Sequence, residues 1–220
     1  LSFTRHRVRA GADTLAPIAG GRTVKRCLPV AAKFGGGGLL VAALSCCIAC
    51  GGAAGQAAKL ADAGQYEQAL ASYEQTVAAK PGTVDARKAQ LAIAQIQIAD
   101  LGDPVSGLAT YQSVVDAAAD SEEGLAAGYA IGVHHFGAEE YALAAAAFQA
   151  VVQAGPTSET AAEAQIRLAM SQERSNDLEA AQQTYAAYSQ LHSDTDAALM
   201  AIEKRAQLLD QLGKKSEAIA

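Results

Sequence analysis

A repeat of 37 to 38 residues constrains the possible folds of this 220-residue chain more than any other feature. Aromatic residues mark it at Tyr73, Tyr111, Phe148 and Tyr185, spaced by 38, 37 and 37 residues. A period in this range is typical of architectures in which similar units stack in a row.

Two further columns of residues keep a fixed offset from the aromatics. Four positions before each aromatic, and once more near the C-terminus, lies a small residue: Ala69, Gly107, Ala144, Ala181 and Ala218. Nine positions before each lies a turn-type or polar residue, and the series continues once: Gly64, Gly102, Glu139, Asn176 and Gly213. Eight positions after two of the aromatics lies a proline, Pro81 or Pro156.

These columns predict two antiparallel helices in each unit. Alanine makes up 53 of the 220 residues and aromatics only 5%, which favours helices over sheets. The turn column supplies residues for positive φ between the helices, and the small column lets the second helix lie close to the first. The aromatic, one helical turn later, fills the gap between units, and proline ends the second helix or begins the next connection.

Local signals place the helices. Asp103 before Pro104 is an N-cap followed by proline at the first helical position, and Asn176-Asp177 opens another helix. The predicted helices are 54–63, 66–79, 84–101, 104–118, 121–136, 139–153, 158–174, 177–191, 194–212, and one that starts at 215. We expect an unpaired last helix to expose Ile202, Leu208 and Leu209, unless the chain is a fragment or a partner or dimer contact covers this edge.

The pattern resembles the tetratricopeptide repeat (TPR) over roughly residues 54–220. The matching stretches are 64–73, which contains Tyr66, then 139–148, which contains Tyr141, and 212–219, while Gly132 takes the family's small position in a first helix. The resemblance implies an all-α fold for residues 51–220, a right-handed α-solenoid of about four and a half TPR helix pairs. The chain departs from the family at Pro104, at Gly107 and at Leu178, and its period exceeds the usual length of about 34 residues.

Similar long spacing occurs in envelope TPR proteins of Gram-negative bacteria. These include the TPR lipoprotein of the outer-membrane Bam assembly machine and the Tol-Pal-associated periplasmic TPR protein. The resemblance to them rests on the spacing together with the composition of residues 1–50, a separate basic region. This region has a formal charge of +6 against −12 for the rest of the chain.

The basic region contains a segment typical of export or anchoring. Residues 35–49 are uncharged and about as long as the apolar part of a signal peptide, but short for a membrane span of about 20 residues. All four cysteines of the chain lie in this region, at Cys27, Cys46, Cys47 and Cys50. A cysteine that follows small residues here resembles the lipobox of bacterial lipoproteins, which implies lipidation at Cys50, with Cys46 and Cys47 as alternatives.

Two other interpretations of this region stay open. The segment could be an uncleaved membrane anchor, with the basic residues holding the N-terminus in the cytoplasm. It could also be a mistranslated upstream region, since Leu1 is not methionine and the true start could lie downstream. The lipoprotein interpretation predicts a protein anchored in the cell envelope, with its TPR body facing the periplasm.

Residues able to support catalysis or metal binding are scarce. His134 and His135 are adjacent, so on a helix they point about 100° apart and cannot chelate one metal together. We expect His135 to pack, and His192 to lie at a helix end. The acid pairs Glu122-Glu123 and Glu139-Glu140 fall near predicted helix starts, where they suit the helix dipole. We therefore predict no enzyme, no cofactor and no metal site, and the acidic body argues against nucleic acid.

A protein-binding surface is the remaining functional prediction. The TPR resemblance implies that the first helix of each unit lines a concave groove. Counting back from the turn column assigns these groove positions: Ile96, Ala99, Asp100, Tyr129, Val133, Phe136, Ile166, Met170, Glu173, Arg174, Met200, Glu203, Gln207 and Asp210. Aromatic, methionine and isoleucine side chains suit an apolar peptide or helix, although they could instead pack between neighbouring units.

Three functions follow from these features. The preferred one is a membrane-anchored scaffold of the bacterial envelope that binds other envelope proteins and could self-associate through its C-terminal edge. The second is a cytoplasmic TPR adaptor whose N-terminus is misannotated. The third is an enzyme or metal protein that uses the histidine pair, which the residue pattern does not favour.

Overall fold

The computed structural model describes residues 53–214, and nine α-helices with no strand lie within that range. The helices are α1 (Ala53–Asp62), α2 (Tyr66–Ala79), α3 (Val84–Ala99), α4 (Pro104–Ala118), α5 (Glu122–Gly137), α6 (Tyr141–Ala154), α7 (Glu159–Arg174), α8 (Leu178–Leu191) and α9 (Asp196–Gln211). The predictions for residues 1–50, including the lipidation candidates, and for Ala218 and the helix starting at 215 lie outside the described residues.

Each helix packs against the next one along the chain, from α1 to α9. The odd-numbered helices, which we call first helices, also contact one another in the pairs α1–α3, α3–α5 and α5–α7. They therefore share one face of the array, which we call the inner face. The even-numbered second helices form the outer face. This arrangement confirms the predicted all-α solenoid of helix pairs.

The predicted helix boundaries agree with the observed ones to within two residues. Capping explains why the helices begin where they do. The side chains of Thr83, Ser121, Ser158 and Thr195 accept a hydrogen bond from a backbone N–H at the start of the first helix that follows each of them. Asp103 and Asp177 do the same for the second helices α4 and α8, as predicted.

The turn column adopts the predicted backbone conformation in every described unit. The φ angles are 73° at Gly64, 65° at Gly102, 62° at Glu139, 64° at Asn176 and 72° at Gly213. Glu139 and Asn176 are the only non-glycine residues with positive φ among residues 53–214. The tight reversal between the two helices of a unit therefore recurs with a left-handed backbone at this position, which glycine adopts more readily than glutamate or asparagine.

The residues of the small and aromatic columns make the predicted contacts between the helices. Ala69, Ala144 and Ala181 are fully buried, and all four aromatics of the column are at most 8% exposed. A Cβ atom at Gly107 would lie 2.3 Å from Ile98 Cγ1 and 2.8 Å from the Ala94 carbonyl oxygen. Only glycine allows α4 to approach α3 this closely.

The core is divided along the array. Four clusters of buried residues each join a first helix, its second helix and the next first helix, and each contains one aromatic of the column. Phe148, for example, packs with Leu125 of α5 and Leu168 of α7. Apolar burial therefore links neighbouring units, and the buried clusters within residues 53–214 are spread along the array instead of forming one central core.

The expectation that the last helix exposes Ile202, Leu208 and Leu209 is wrong for the two leucines. Leu208 and Leu209 are at most 1% exposed, whereas Ile202 is 53% exposed. Leu208 lies on the same stripe of α9 as Ala201, and both pack against Tyr185 and its neighbours on α8. This stripe faces the preceding unit, and the exposed edge of α9 carries Leu199 and Ile202 instead.

Candidate partner-binding face

The predicted groove residues lie on or at the ends of first helices, but they differ in exposure. Ile96 is buried at 5% exposure, packed between α1, α2 and α3. Tyr129, Phe136, Ile166 and Met170 are half-buried. The exposed positions are Ala99, Asp100, Val133, Arg174, Met200, Glu203, Gln207 and Asp210. The inner face therefore offers local cavities rather than one uniform groove.

One cavity of about 440 Å³ opens on the inner face, and we call it the methionine cavity. Its lining comes from α5, α7, α8 and α9: Tyr129, Glu163, Ile166, Arg167, Met170, Tyr188, Ala197 and Met200. The chain contains only two methionines, and both line this cavity. The structure thus brings together four predicted groove residues, Tyr129, Ile166, Met170 and Met200, from three first helices.

A polar edge borders the methionine cavity. The Nε of Arg167 donates a hydrogen bond of 2.6 Å to the Tyr129 hydroxyl, and the Arg167 guanidinium carbon lies 5.6 Å from the centroid of that ring. Burial raises the pKa of Tyr129, Arg167 opposes this shift, and the Glu163 carboxylate adds to it. The Tyr129 hydroxyl therefore stays protonated at neutral pH and interacts with both the Arg167 cation and the Glu163 anion.

Sequence reasoning missed Glu163, Arg167, Tyr188 and Ala197 as cavity residues. Glu163 and Arg167 are four residues apart on α7, so one turn of helix places them on the same side. The spacing of Glu163 and Arg167 therefore indicates, from the sequence alone, that their side chains share one side of the helix. Tyr188 belongs to the second helix α8 and reaches the cavity between α7 and α9, which a count along first helices cannot reveal.

A second inner-face cavity, of about 320 Å³, lies among α1, α2 and α3. Its lining includes the predicted residues Ile96 and Asp100, together with Asp62, Tyr66 and Tyr73. A hydrogen bond to Asp100 raises the pKa of the Tyr66 hydroxyl, while burial followed by the charge of Asp62 raises that of Tyr73. This end of the inner face is therefore acidic and aromatic.

Two predicted groove residues make contacts that hold the array together. Phe136 packs edge-on against Tyr141 of the next helix, with ring centroids 5.4 Å apart. Glu173 accepts a 3.1 Å bond from Lys204 of α9 and a 3.3 Å bond from the Tyr185 hydroxyl of α8. Both residues therefore link consecutive helices, which is the packing alternative stated for the groove positions.

The outer face carries two equivalent polar clefts, of about 360 and 350 Å³. Thr110 donates to the Gln97 side chain at 3.0 Å in one, and Thr184 donates to Gln172 at 2.8 Å in the other. The paired lining residues are separated by 74 or 75 residues, which is two units. A two-unit period thus overlies the single-unit repeat.

The histidines are held by local contacts. His135 Nδ1 lies 2.6 Å from a carboxylate oxygen of Glu140, and the rings of His134 and His135 are 5.9 Å apart and nearly perpendicular. His192 is the C-cap of α8, as expected for a helix end, and its ring packs 4.6 Å from that of Tyr188. Within residues 53–214, no group of three His, Cys, Asp or Glu side chains is arranged to hold a metal ion.

The two acid pairs behave differently. Glu122 and Glu123 lie in the first turn of α5, as predicted, but Glu123 is also buried and pairs with Arg87 at 3.3 Å and Lys88 at 3.9 Å. Glu139 and Glu140 immediately precede α6, with Glu140 as its N-cap residue, so this pair also lies at a helix start, as predicted. Glu139 in addition provides the positive φ of the turn, and Glu140 pairs with His135.

Among the described helices, none combines the length and the apolar character needed to cross a bilayer. No family model matches the chain, and no curated protein matches it by sequence.

Solved structures of helical repeat proteins are similar to this chain. The nearly identical TPR-like repeats of a Podosopora anserina protein described as a kinesin light chain align with 16% identity over 76% of this chain and 88% of that one, with a TM-score of 0.54. MamA aligns with 18% identity over 74% and 88%, with a TM-score of 0.54. Residues 41 to the end of MamA from Desulfovibrio magneticus RS-1 align with 17% identity over 74% and 85%, with a TM-score of 0.51.

At these identities the likeness concerns the fold alone. It confirms the TPR-like helical solenoid that the repeat columns predicted. The finer resemblance to envelope lipoproteins of the Bam or Tol-Pal type stays a prediction.

Proposed function

We propose that this chain is a non-catalytic scaffold that binds a peptide or helix of a partner protein on its inner face. The observation that carries the proposal is the methionine cavity. It is open, it is bordered by polar groups, and it gathers side chains from three consecutive first helices. Clefts of this kind suit side chains presented by a partner.

Exposure of apolar side chains on the inner face supports the proposal. Met200 is 40% exposed and Val133 is 38% exposed, although each belongs to a helix whose other face is buried. Methionine adapts to irregular apolar surfaces because it is unbranched and polarisable.

We also propose that the protein is anchored in the bacterial envelope, lipidated at Cys50, with other envelope proteins as partners. The support is the basic region and its lipobox-like end at residues 46–50. A cytoplasmic TPR adaptor with a misannotated N-terminus is the alternative. Palmitate labelling of the full chain in cells, compared with Cys50→Ala, separates the two. An unlabelled protein in the cytosol would contradict the envelope proposal.

Photo-crosslinking in intact cells tests the binding face. A photoreactive phenylalanine analogue is placed at Met200 on the inner face, or at Ala150, an exposed position of the second helix α6. The proposal predicts a discrete partner crosslink from position 200 and none of that size from position 150. A partner crosslink that forms only from position 150 would overturn the assignment to the inner face.

A further inference from the structure

The array has a strong excess of negative charge. Residues 53–214 contain nine Lys and Arg against 21 Asp and Glu, a formal charge of −12. Five of the nine cations already pair with acids of the array: Lys80, Arg87, Lys88, Lys204 and Lys214. Because the net charge of the array is −12, the field around it attracts cationic partners and repels anionic ones.

Two acids and two cations lie in the lining of the methionine cavity or within one helical turn of it along the chain. Arg167 is engaged by Tyr129, which also interacts with Glu163, so the polar edge carries one cation and one anion. Glu203 lies three residues after Met200 and is therefore on the same side of α9. Arg174, one turn beyond Met170, is the exposed cation at the other end of α7. Within the cavity lining, Glu163 is exposed whereas Arg167 is half-buried and donates to Tyr129, so the more accessible charge of the lining is a carboxylate.

The lining of the methionine cavity is mostly apolar, so it suits an apolar side chain of a ligand. Ile166, Met170, Tyr188, Ala197 and Met200 supply most of its lining. A volume of about 440 Å³ accommodates one or two large side chains rather than a continuous strand of peptide. On a helix, residues three or four positions apart lie on the same side, so one turn can present an apolar anchor beside a lysine or arginine.

We infer that the segment bound in the methionine cavity is a cationic amphipathic helix that inserts one large apolar side chain. This inference rests on the proposed function and specifies the chemistry of the partner at the same site. The apolar anchor occupies the space between Met170 and Met200. Lysine or arginine side chains one turn away meet Glu163 and Glu203.

The two methionines make the cavity directly observable. The full chain is labelled with methyl-¹³C methionine, and the two cavity resonances are assigned with Met170→Leu and Met200→Leu. The probes are capped alanine-based helical peptides, each about 16 residues long. Each carries one anchor (Leu, Phe or Ala) with Lys, Gln or Glu one turn away on either side.

The inference predicts that peptides with Lys and a Leu or Phe anchor shift both methyl resonances. Their dissociation constants should be about tenfold lower than those of the Glu peptides at about 50 mM salt, and about 500 mM salt should remove most of the difference. Peptides with the Ala anchor should leave both resonances in place. Equal or tighter binding of the Glu peptides, or no shift with any peptide, would overturn the inference.

Charge variants locate the effect. Glu163→Gln and Glu203→Gln should each weaken binding of the Lys–Phe peptide by about threefold. Glu67→Gln, the same change on the second helix α2, should leave it unchanged, and equal effects at all three positions would contradict a local contact.

If cellular crosslinks map to the inner face while the Glu peptides bind best, only the partner chemistry is wrong. Crosslinks confined to the outer face would instead refute the proposed function itself.

Discussion

At the scale of single residues, the turn column shows that backbone conformation recurs even where the side chain does not. Glycine occupies three of the five positions, but Glu139 and Asn176 adopt the same positive φ. An L-residue in the left-handed region is destabilised by its Cβ contact with the backbone, and asparagine tolerates the region better than glutamate. Glu139 is therefore the least favourable residue in the column.

Replacing Glu139 by glycine should stabilise the array. We expect Glu139→Gly to raise the free energy of unfolding by about 0.5–1 kcal/mol, because relief of the left-handed strain exceeds the extra entropy lost by glycine. Glu139→Ala removes the same side chain and keeps the strain, so it should give no such gain. Urea denaturation measures both variants, and equal stability of the Gly and Ala variants would refute strain at this turn.

Alkaline pH should destabilise the protein through its tyrosines. Burial raises the pKa of Tyr111, and burial together with the Glu173 carboxylate raises that of Tyr185. A raised pKa means that the folded state holds the phenolic proton more tightly than the unfolded state. The stabilisation is therefore complete below the unfolded pKa of about 10 and is lost as the pH rises above it.

The free energy of unfolding should therefore be lower at about pH 11 than at about pH 8, and tyrosine absorbance should report ionisation together with unfolding. Tyr185→Phe should show a smaller decrease, since it has no phenol to ionise at that site. An equal decrease in the variant and the parent chain would exclude Tyr185 as a source of the effect.

At the scale of helices, close approach decides which glycines of α5 are required. A Cβ atom at Gly132 would lie 2.6 Å from Phe148 Cε1, whereas one at Gly137 would meet nothing within 4 Å. We expect Gly132→Ala to destabilise the protein by about 1–3 kcal/mol, because α6 or the Phe148 ring must shift. Gly137→Ala should be neutral or slightly stabilising. Thermal unfolding compares the two, and similar melting temperatures would contradict the close contact.

The buried ion pair between α3 and α5 should contribute more than the exposed one beside it. The side chains of Arg87 and Glu123 are 15% and 5% exposed, against 62% for both Lys80 and Asp85. We expect Arg87→Ala to destabilise the protein by about 2–3 kcal/mol, because Glu123 would be left buried with only the distant Lys88.

Lys80→Ala is the control for that variant and should change stability by less than about 0.5 kcal/mol. A double-mutant cycle with Glu123→Ala isolates the coupling between Arg87 and Glu123. A coupling energy no larger than that of the exposed pair would show that the buried contact does not join α3 to α5.

The helices were predictable because their signals are local. Turn residues, caps and small residues act within a few positions of where they stand, as Asp103 and Ala144 show. Contacts between units were not predictable in the same way. Glu123 meets Arg87 across 36 residues, and Tyr188 reaches the methionine cavity from a second helix. Such contacts depend on how the units stack, which a single sequence does not specify side chain by side chain.

At the scale of the whole array, the buried clusters and the methionine cavity are both assembled from neighbouring units. Each buried cluster joins three consecutive helices, and the methionine cavity likewise draws on α5, α7, α8 and α9. A partner that fills the cavity therefore contacts several units at once and stabilises their mutual packing. The proposed binding function therefore depends on the arrangement of the units, and no single unit contains the cavity.

Filling the methionine cavity tests the central claim most directly. Ala197→Phe places a ring in the cavity, and Ala109→Phe makes the same change at an exposed position of the second helix α4. Both variants are checked for native helicity by circular dichroism, and capture of the crosslinked partner is then measured in cells. Ala197→Phe should reduce capture by about tenfold or more while Ala109→Phe leaves it unchanged. Undiminished capture by a folded Ala197→Phe variant would contradict binding at this cavity.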